Sequence, residues 1–221
     1  AGCPSWPVPL RVLSAGDMHV WLEPQPIDGQ TLGGAAEMLA YCRQAEGYTP
    51  QSFLTLACGD LATGPALSTV FKGAPVIEAM NLMGYDASVV GNHEFDFGPE
   101  YVREWSRSAQ FPFLAANLAR PDGTPSDLAL PYLLTEEPGV KVGILGLATA
   151  GVESIAGTGG QTGQPYAEAM QKWVPQLRAQ GAQVVIVVAH APLTDLTTLA
   201  KEANALGVPL LLGGHSHEMG Q

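Results

Sequence analysis

Short apolar runs alternate along this chain with longer amphipathic stretches. "LRVLSA" from Leu10 reads as a strand, "GGAAEMLAYCRQAEG" as a helix closed by Gly47, and "SFLTLAC" as a second, buried strand. The alternation continues with "APVIEAMNLMGY" as helix, "ASVV" as strand, "PEYVREWSRS" as helix and "FPFLAANL" as a short strand. After an irregular stretch from Arg120 to Ser126, "YLLT" and "VKVGILGLAT" form an expected strand pair. The last third gives a helix in "YAEAMQKWVPQLRAQG", expected to kink or break near Pro175, then strand "QVVIVVA", helix "LTTLAKEANALG" and strand "VPLLLG". Runs such as "VVIVVA" lack polar alternation, as strands do when both faces of their sheet are covered. The pattern predicts a layered α/β fold. "AGCPSWPVP", residues 1–9, is an irregular lead-in, and the glycine-rich "GTGGQTGQ" from Gly157 to Gln164 reads as a flexible surface loop, with a lid near the site as the alternative. That stretch lacks the GK[ST] ending of a phosphate loop.

Charge narrows the partners. The chain has 221 residues, enough for one large core, and a formal charge of −11, which argues against nucleic-acid polymers and anionic lipid surfaces. No apolar run has the length of a membrane span. Cys3, Cys42 and Cys58 form neither a paired framework nor a CxxC motif.

Metal-binding residue types recur just after the predicted strands. "LRVLSA" leads into Asp17 and His19, "SFLTLAC" into Asp60, "ASVV" into Asn92 and His93, "QVVIVVA" into His190, and "VPLLLG" into His215 and His217. Any one of these residues alone is better explained as a turn, a cap or a hydrogen-bonded histidine. Together they account for all five histidines of the chain and converge where open α/β sheets bind ligands, at the carboxyl ends of strands. If "GHSH" is extended, alternation points His215 and His217 the same way.

"GDMH", "GDLATGPALS", "GNHEFDFG", "VVAHAP" and "GGHSHE" resemble, in order, the motifs of the calcineurin-like metallophosphoesterases. "FKGAPVIEAMNLMGYDASVVGNHEFDFG" and "FPFLAANL" are similar to the 5′-nucleotidase branch in particular. The resemblance implies a four-layer α/β/β/α sandwich with two divalent metal ions bridged by Asp60. Asp17, His19 and His217 would complete one ion's protein ligands, and Asn92, His190 and His215 the other's. Oxygen and imidazole donors without thiolate suit manganese, zinc, iron or cobalt. His93 and Asp96 are implied as the catalytic pair, with Asn92 and His93 also touching substrate, and Glu94 either holds the loop or serves only the fold. The implied reaction is hydrolysis of a phosphomonoester, a 5′-nucleotide or related compound, by metal-activated hydroxide.

Some features depart from that pattern. Gly16 and Val20 stand where relatives usually have asparagine and glycine, and Cys58 replaces a small alanine; it reads as a packed small thiol, with a redox or metal-tuning role as the sharper reading. Residues 10–221 are expected to be a catalytic domain without the last strands and the C-terminal domain that selects the nucleoside in nucleotidases. Two other readings share the motifs: a thiosulfohydrolase-like hydrolase, and a non-catalytic metal- or nucleotide-binding accessory module. The family resemblance points to the cell envelope, periplasm or exterior. "AGC" resembles the end of a bacterial lipobox, which would make Cys3 a lipid anchor and the chain's only membrane contact.

Overall fold

The structure is a computed structural model describing residues 9–27 and 29–218, so Cys3 and the last three residues lie outside the described residues. The elements run β1 (Val12–Ala15), β2 (Gln25–Ile27), β3 (Gln30–Leu32), α1 (Ala35–Glu46), β4 (Leu54–Ala57), α2 (Ala66–Phe71), α3 (Ala74–Met83), β5 (Ala87–Val89), α4 (Pro99–Ser108), β6 (Phe113–Leu114) and β7 (Leu118–Ala119). They continue with β8 (Tyr132–Glu137), β9 (Val140–Leu147), β10 (Thr162–Gly163), α5 (Tyr166–Ala179), β11 (Val184–Ala191), α6 (Leu193–Ala205) and β12 (Leu210–His215). No helix among the described residues is long and apolar enough to cross a membrane.

Two four-stranded sheets stack face to face. The first has order β1-β4-β5-β6, all parallel; the second has order β12-β11-β9-β8, parallel except for the antiparallel β8–β9 pair that the sequence predicts. Period-two alternation assigns each strand's side chains to two layers. Leu54, Leu56, Ala87 and Val89 of the first sheet meet Val142, Ile144, Ile186 and Val188 of the second in the layer between the sheets. The opposite faces carry Ala57 toward a core shared with α3 and α4, and Leu145, Leu147, Val185, Val187 and Ala189 toward a core shared with α5 and α6. This is the α/β/β/α order of layers. Each large side chain so buried contributes about 1.5–3 kcal/mol of transfer free energy, so apolar runs without alternation are what this stacking requires.

Three expectations need refinement. Of the kink or break expected near Pro175, the break is absent: α5 runs continuously from Tyr166 to Ala179, with Pro175 exposed and Met170, Val174 and Leu177 packed into the core. "FPFLAANL" is not one strand: β6 and β7 belong to different sheets, divided by Asn117, whose buried amide bonds Ala148 and the carbonyl of Gln164. The glycine-rich stretch from Gly157 to Gln164 is exposed at Gly157, Gly159, Gly160 and Gln164 but is not wholly irregular. It contains β10, paired with β7, and the buried side chains of Thr158 and Gln161.

Candidate metal and catalytic site

Parallel strands put their carboxyl ends on one edge of each sheet, and there the candidate residues meet. β1 ends two residues before Asp17, β4 three before Asp60 and β5 three before Asn92; His190 lies within the end of β11 and His215 closes β12. The loop after β1 continues alongside the loop after β4, with the Asp17, His19 and Val20 N–H groups donating to the carbonyls of Gly59, Asp60 and Leu61. Asp17, His19, Asp60, His215 and His217 all have positive φ, between 45° and 100°. Asp and His tolerate this region better than most non-glycine residues, and its clustering at ligand-binding loops is the usual place for backbone strain.

The side chains form two adjacent groups. Asp17, His19 and His217 are one; Asp60, His190 and His215 are the other, and within each group ligand atoms lie within 4.8 Å of one another. His19 Nε2 is 3.2 Å from His217 Nε2, which is 3.5 Å from Asp17 Oδ1. In the second group His190 Nε2 is 2.9 Å from Asp60 Oδ2 and 3.2 Å from His215 Nδ1. Asn92 Oδ1 joins it, 3.2 Å from His190 Nε2 and 2.9 Å from His215 Nδ1. His215 and His217 both have positive φ, so strict extended alternation does not describe them, and they enter the two adjacent groups at the same strand ends.

Tautomers can be assigned from the outward-facing ring nitrogens. His190 Nδ1–H donates to the Cys58 carbonyl at 2.6 Å and His19 Nδ1–H to the Thr63 carbonyl at 2.7 Å. Both Nε2 atoms then present lone pairs inward, toward carboxylate oxygen, amide oxygen or another imidazole. Acceptors crowded together in this way repel unless a proton or a cation lies among them, so the donor set fits a metal ion at each group. The two orienting carbonyls are backbone atoms, which no residue pattern in the sequence could have signalled. Asp17 is held too, its carboxylate accepting the His215 N–H at 2.9 and 3.0 Å.

Electrostatics follow from burial and pairing. Burial works against ionised Asp60, but its His190 contact and the His93 N–H, at 2.9 Å, outweigh it and hold the carboxyl below its ordinary range. Burial likewise opposes protonation of His190, and the Asp60 partner prevails, raising it. His215 is lowered, by burial and then by the neighbouring His190. Cys58, buried and near Asp17, is pushed up to about 12, which fits a packed thiol rather than a reactive one.

His93 stands beside the first group, its ring centroid 5.1 Å from that of His19 in an edge-on arrangement. Its Nδ1 is 2.7 Å from Asp96 Oδ2, so Nε2 is the atom left for chemistry. Burial lowers His93, but the Asp96 bond and the charges of Asp60, Asp96 and Glu94 win, and the imidazolium is favoured. Glu94 is fully buried; burial and the Asp60 charge push its carboxyl up to about 7, against the lowering effect of the Leu61 and Gly91 N–H groups.

Residues 10–219 match the family profile described as calcineurin-like phosphoesterase. The chain belongs to that family. A rat 5′-nucleotidase (Rattus norvegicus) is 32% identical over 97% of this chain and 39% of its own length. The crystal structure of a 5′-nucleotidase precursor from Thermus thermophilus superposes with a TM-score of 0.83 at 29% identity, covering 96% of this chain and 43% of that one. A Thermus thermophilus sulfate thiohydrolase, SoxB, superposes with a TM-score of 0.81 but at 20% identity, over 98% of this chain and 50% of that one, and shows the fold alone. The chain thus spans about two fifths of the curated relative's length and half or less of the two structures. Calcineurin-like phosphoesterases use divalent metals, and the two ligand groups at the strand ends are the candidates to hold them here.

Proposed function

We propose that residues 10–221 are the catalytic domain of a dinuclear-metal phosphohydrolase that cleaves a phosphomonoester, a 5′-nucleotide or a related nucleotide. The observation that carries the reading is the adjacency of two inward-facing ligand groups with the His93–Asp96 pair at their edge. Asp17, His19 and His217 would hold one ion and Asn92, His190 and His215 the other, with Asp60 between them. When bound, such ions act as Lewis acids toward phosphoryl oxygens and make water a competent nucleophile near neutral pH. Manganese, zinc, iron and cobalt all suit these donors.

The chain's own residues supply the rest. Asp96 accepts a hydrogen bond from His93 Nδ1–H and fixes its ring, so that Nε2–H donates to the transferring phosphoryl group or to a departing alkoxide. His93 N–H meanwhile braces Asp60. The cations explain how a chain of net charge −11 binds a phosphate dianion. The nucleotide comes from the similarity to 5′-nucleotidases. The thiosulfohydrolase reading has the fold in its favour and no more. We place the protein at the cell envelope or outside the cell, in line with the relative described as a precursor, with any membrane contact made through Cys3.

The test is release of phosphate from AMP and from p-nitrophenyl phosphate with manganese, with and without chelator, beside release of sulfate from a sulfur-linked substrate. Phosphate release that stops with chelator and falls at least about tenfold in His93→Asn supports the proposal. Sulfate release alone would favour the thiosulfohydrolase reading. Nucleotide binding without turnover under several metals would leave an accessory module.

A further inference from the structure

Glu94 lies at the centre of "GNHEFDFG", yet no step of the proposed chemistry uses it. Its side chain is fully buried, and both oxygens face backbone rather than other side chains. Oε1 accepts the Leu61 N–H at 2.7 Å; Oε2 accepts the Asp60 N–H at 3.0 Å and the Gly91 N–H at 2.5 Å. These three donors belong to two loops, the ones that leave β4 and β5. Each loop presents one candidate ligand at or beside the bonded amides: Asp60 in the first, Asn92 in the second. The tie is returned from the other side, because Asp60 Oδ1 accepts the His93 N–H.

A fully buried carboxylate that spends its accepting capacity on two loop backbones fixes the separation of those loops. The fit leaves no slack: a Cβ on Gly91 would lie 2.2 Å from Asp60 Oδ1 and 2.9 Å from Glu94 Oε2. Asp60 is itself in the left-handed region, a conformation that persists where its surroundings over-determine it. We propose that Glu94 is a positioning residue that sets the distance between Asp60 and Asn92, and so the shape of the second ligand group, without touching metal or substrate. The proposal rests on the reading that these groups bind metal ions.

Glu94→Gln tests it with little change in volume, since the amide turns one acceptor into a donor facing a backbone N–H. The control is Val102→Ala, in the buried face of α4, which costs stability while leaving every hydrogen bond of Glu94 to the two loops in place. Manganese binding to metal-free protein is followed by calorimetry, and exchange of the Asp60, Leu61 and Gly91 amides by NMR. We expect affinity for one of the two ions to fall by about 10- to 100-fold in E94Q, faster exchange at those three amides, and a circular dichroism spectrum like that of the wild type. V102A should melt earlier but bind both ions normally. E94D, which keeps the charge and shortens the reach, should fall between wild type and E94Q. Wild-type affinity in E94Q, or an equal loss in V102A, overturns the proposal. So does failure of both E94Q and E94D to fold, which would make Glu94 a requirement of the fold as a whole. If the wild type binds no ion, the metal reading fails by itself, and the exchange rates still decide whether Glu94 holds the loops.

Discussion

His93 Nδ1 and Asp96 Oδ2 meet at 2.7 Å across a single turn of 3₁₀ helix, with both side chains partly open to solvent. That turn aims Nε2 away from the carboxylate. Replacing Asp96 by Asn leaves the turn intact but removes the charge that favours the imidazolium and fixes its tautomer. Steady-state assays of Asp96→Asn on p-nitrophenyl phosphate should show kcat reduced by roughly 10- to 100-fold with KM little changed. A kcat within twofold of wild type would show that Asp96 does not serve His93.

The ion sites should be visible in stability as well as in rate. His190, buried and tied to the Cys58 carbonyl, presents Nε2 to Asp60 and Asn92. A cation that binds only the folded chain at 100 times its Kd adds about 2.7 kcal/mol. Manganese should therefore raise the melting temperature of metal-stripped protein, and His190→Ala should lose most of that response. Equal shifts in wild type and H190A would place the metal elsewhere.

At the opposite end of β5 from the site, Asp86 provides a pH dependence independent of metal. It accepts the Thr55 N–H at 2.7 Å, yet burial, aided by the charge of Glu137, pushes its carboxyl up to about 6 from 3.8. A carboxyl raised in the folded state favours the protonated native protein. Its contribution is complete below the unfolded pKa near 4 and is lost as pH rises through about 6. At neutral pH the charge is therefore a cost, screened at this half-buried position to about 1 kcal/mol. Asp86→Asn, which keeps an acceptor for Thr55, should gain about that much at pH 7.5 in urea unfolding and nothing at pH 4. Equal or lower stability of D86N at pH 7.5 would contradict this.

The layering was legible in the sequence because it follows from one local rule. Strands covered on both faces are apolar throughout, as "VVIVVA" is, and helices such as Ala35–Glu46 announce their end with a left-handed glycine, Gly47. The candidate ligands were legible because they follow strand ends in a parallel arrangement. What local pattern missed depended on partners far along the chain. The break between β6 and β7 is made by Asn117 bonding Ala148, and the continuity of α5 through Pro175 by packing of Val174 and Leu177. The assignment of His215 and His217 to two groups came from the family resemblance and not from alternation, which their left-handed backbone does not follow. Glu94 was visible as a residue but not as a clasp, since its three partners are amides of loops whose approach only the fold creates.

The stacking of the sheets yields a last prediction, independent of the site. Gly146 in β9 lies against β6 so closely that a Cβ there would stand 2.3 Å from Leu114 Cβ, 2.9 Å from its carbonyl carbon and 3.0 Å from its carbonyl oxygen. Those atoms cannot rotate away. Gly146→Ala must move the two sheets apart locally, and overpacking of this kind costs about 1–3 kcal/mol. Trimming the neighbour should not repair it, because Leu114→Ala keeps the Cβ and the carbonyl that make the clash and adds a cavity of its own. Urea unfolding should show Gly146→Ala less stable than wild type and the double variant less stable again. If Leu114→Ala restores stability, the side chain rather than the backbone sets the spacing between the sheets.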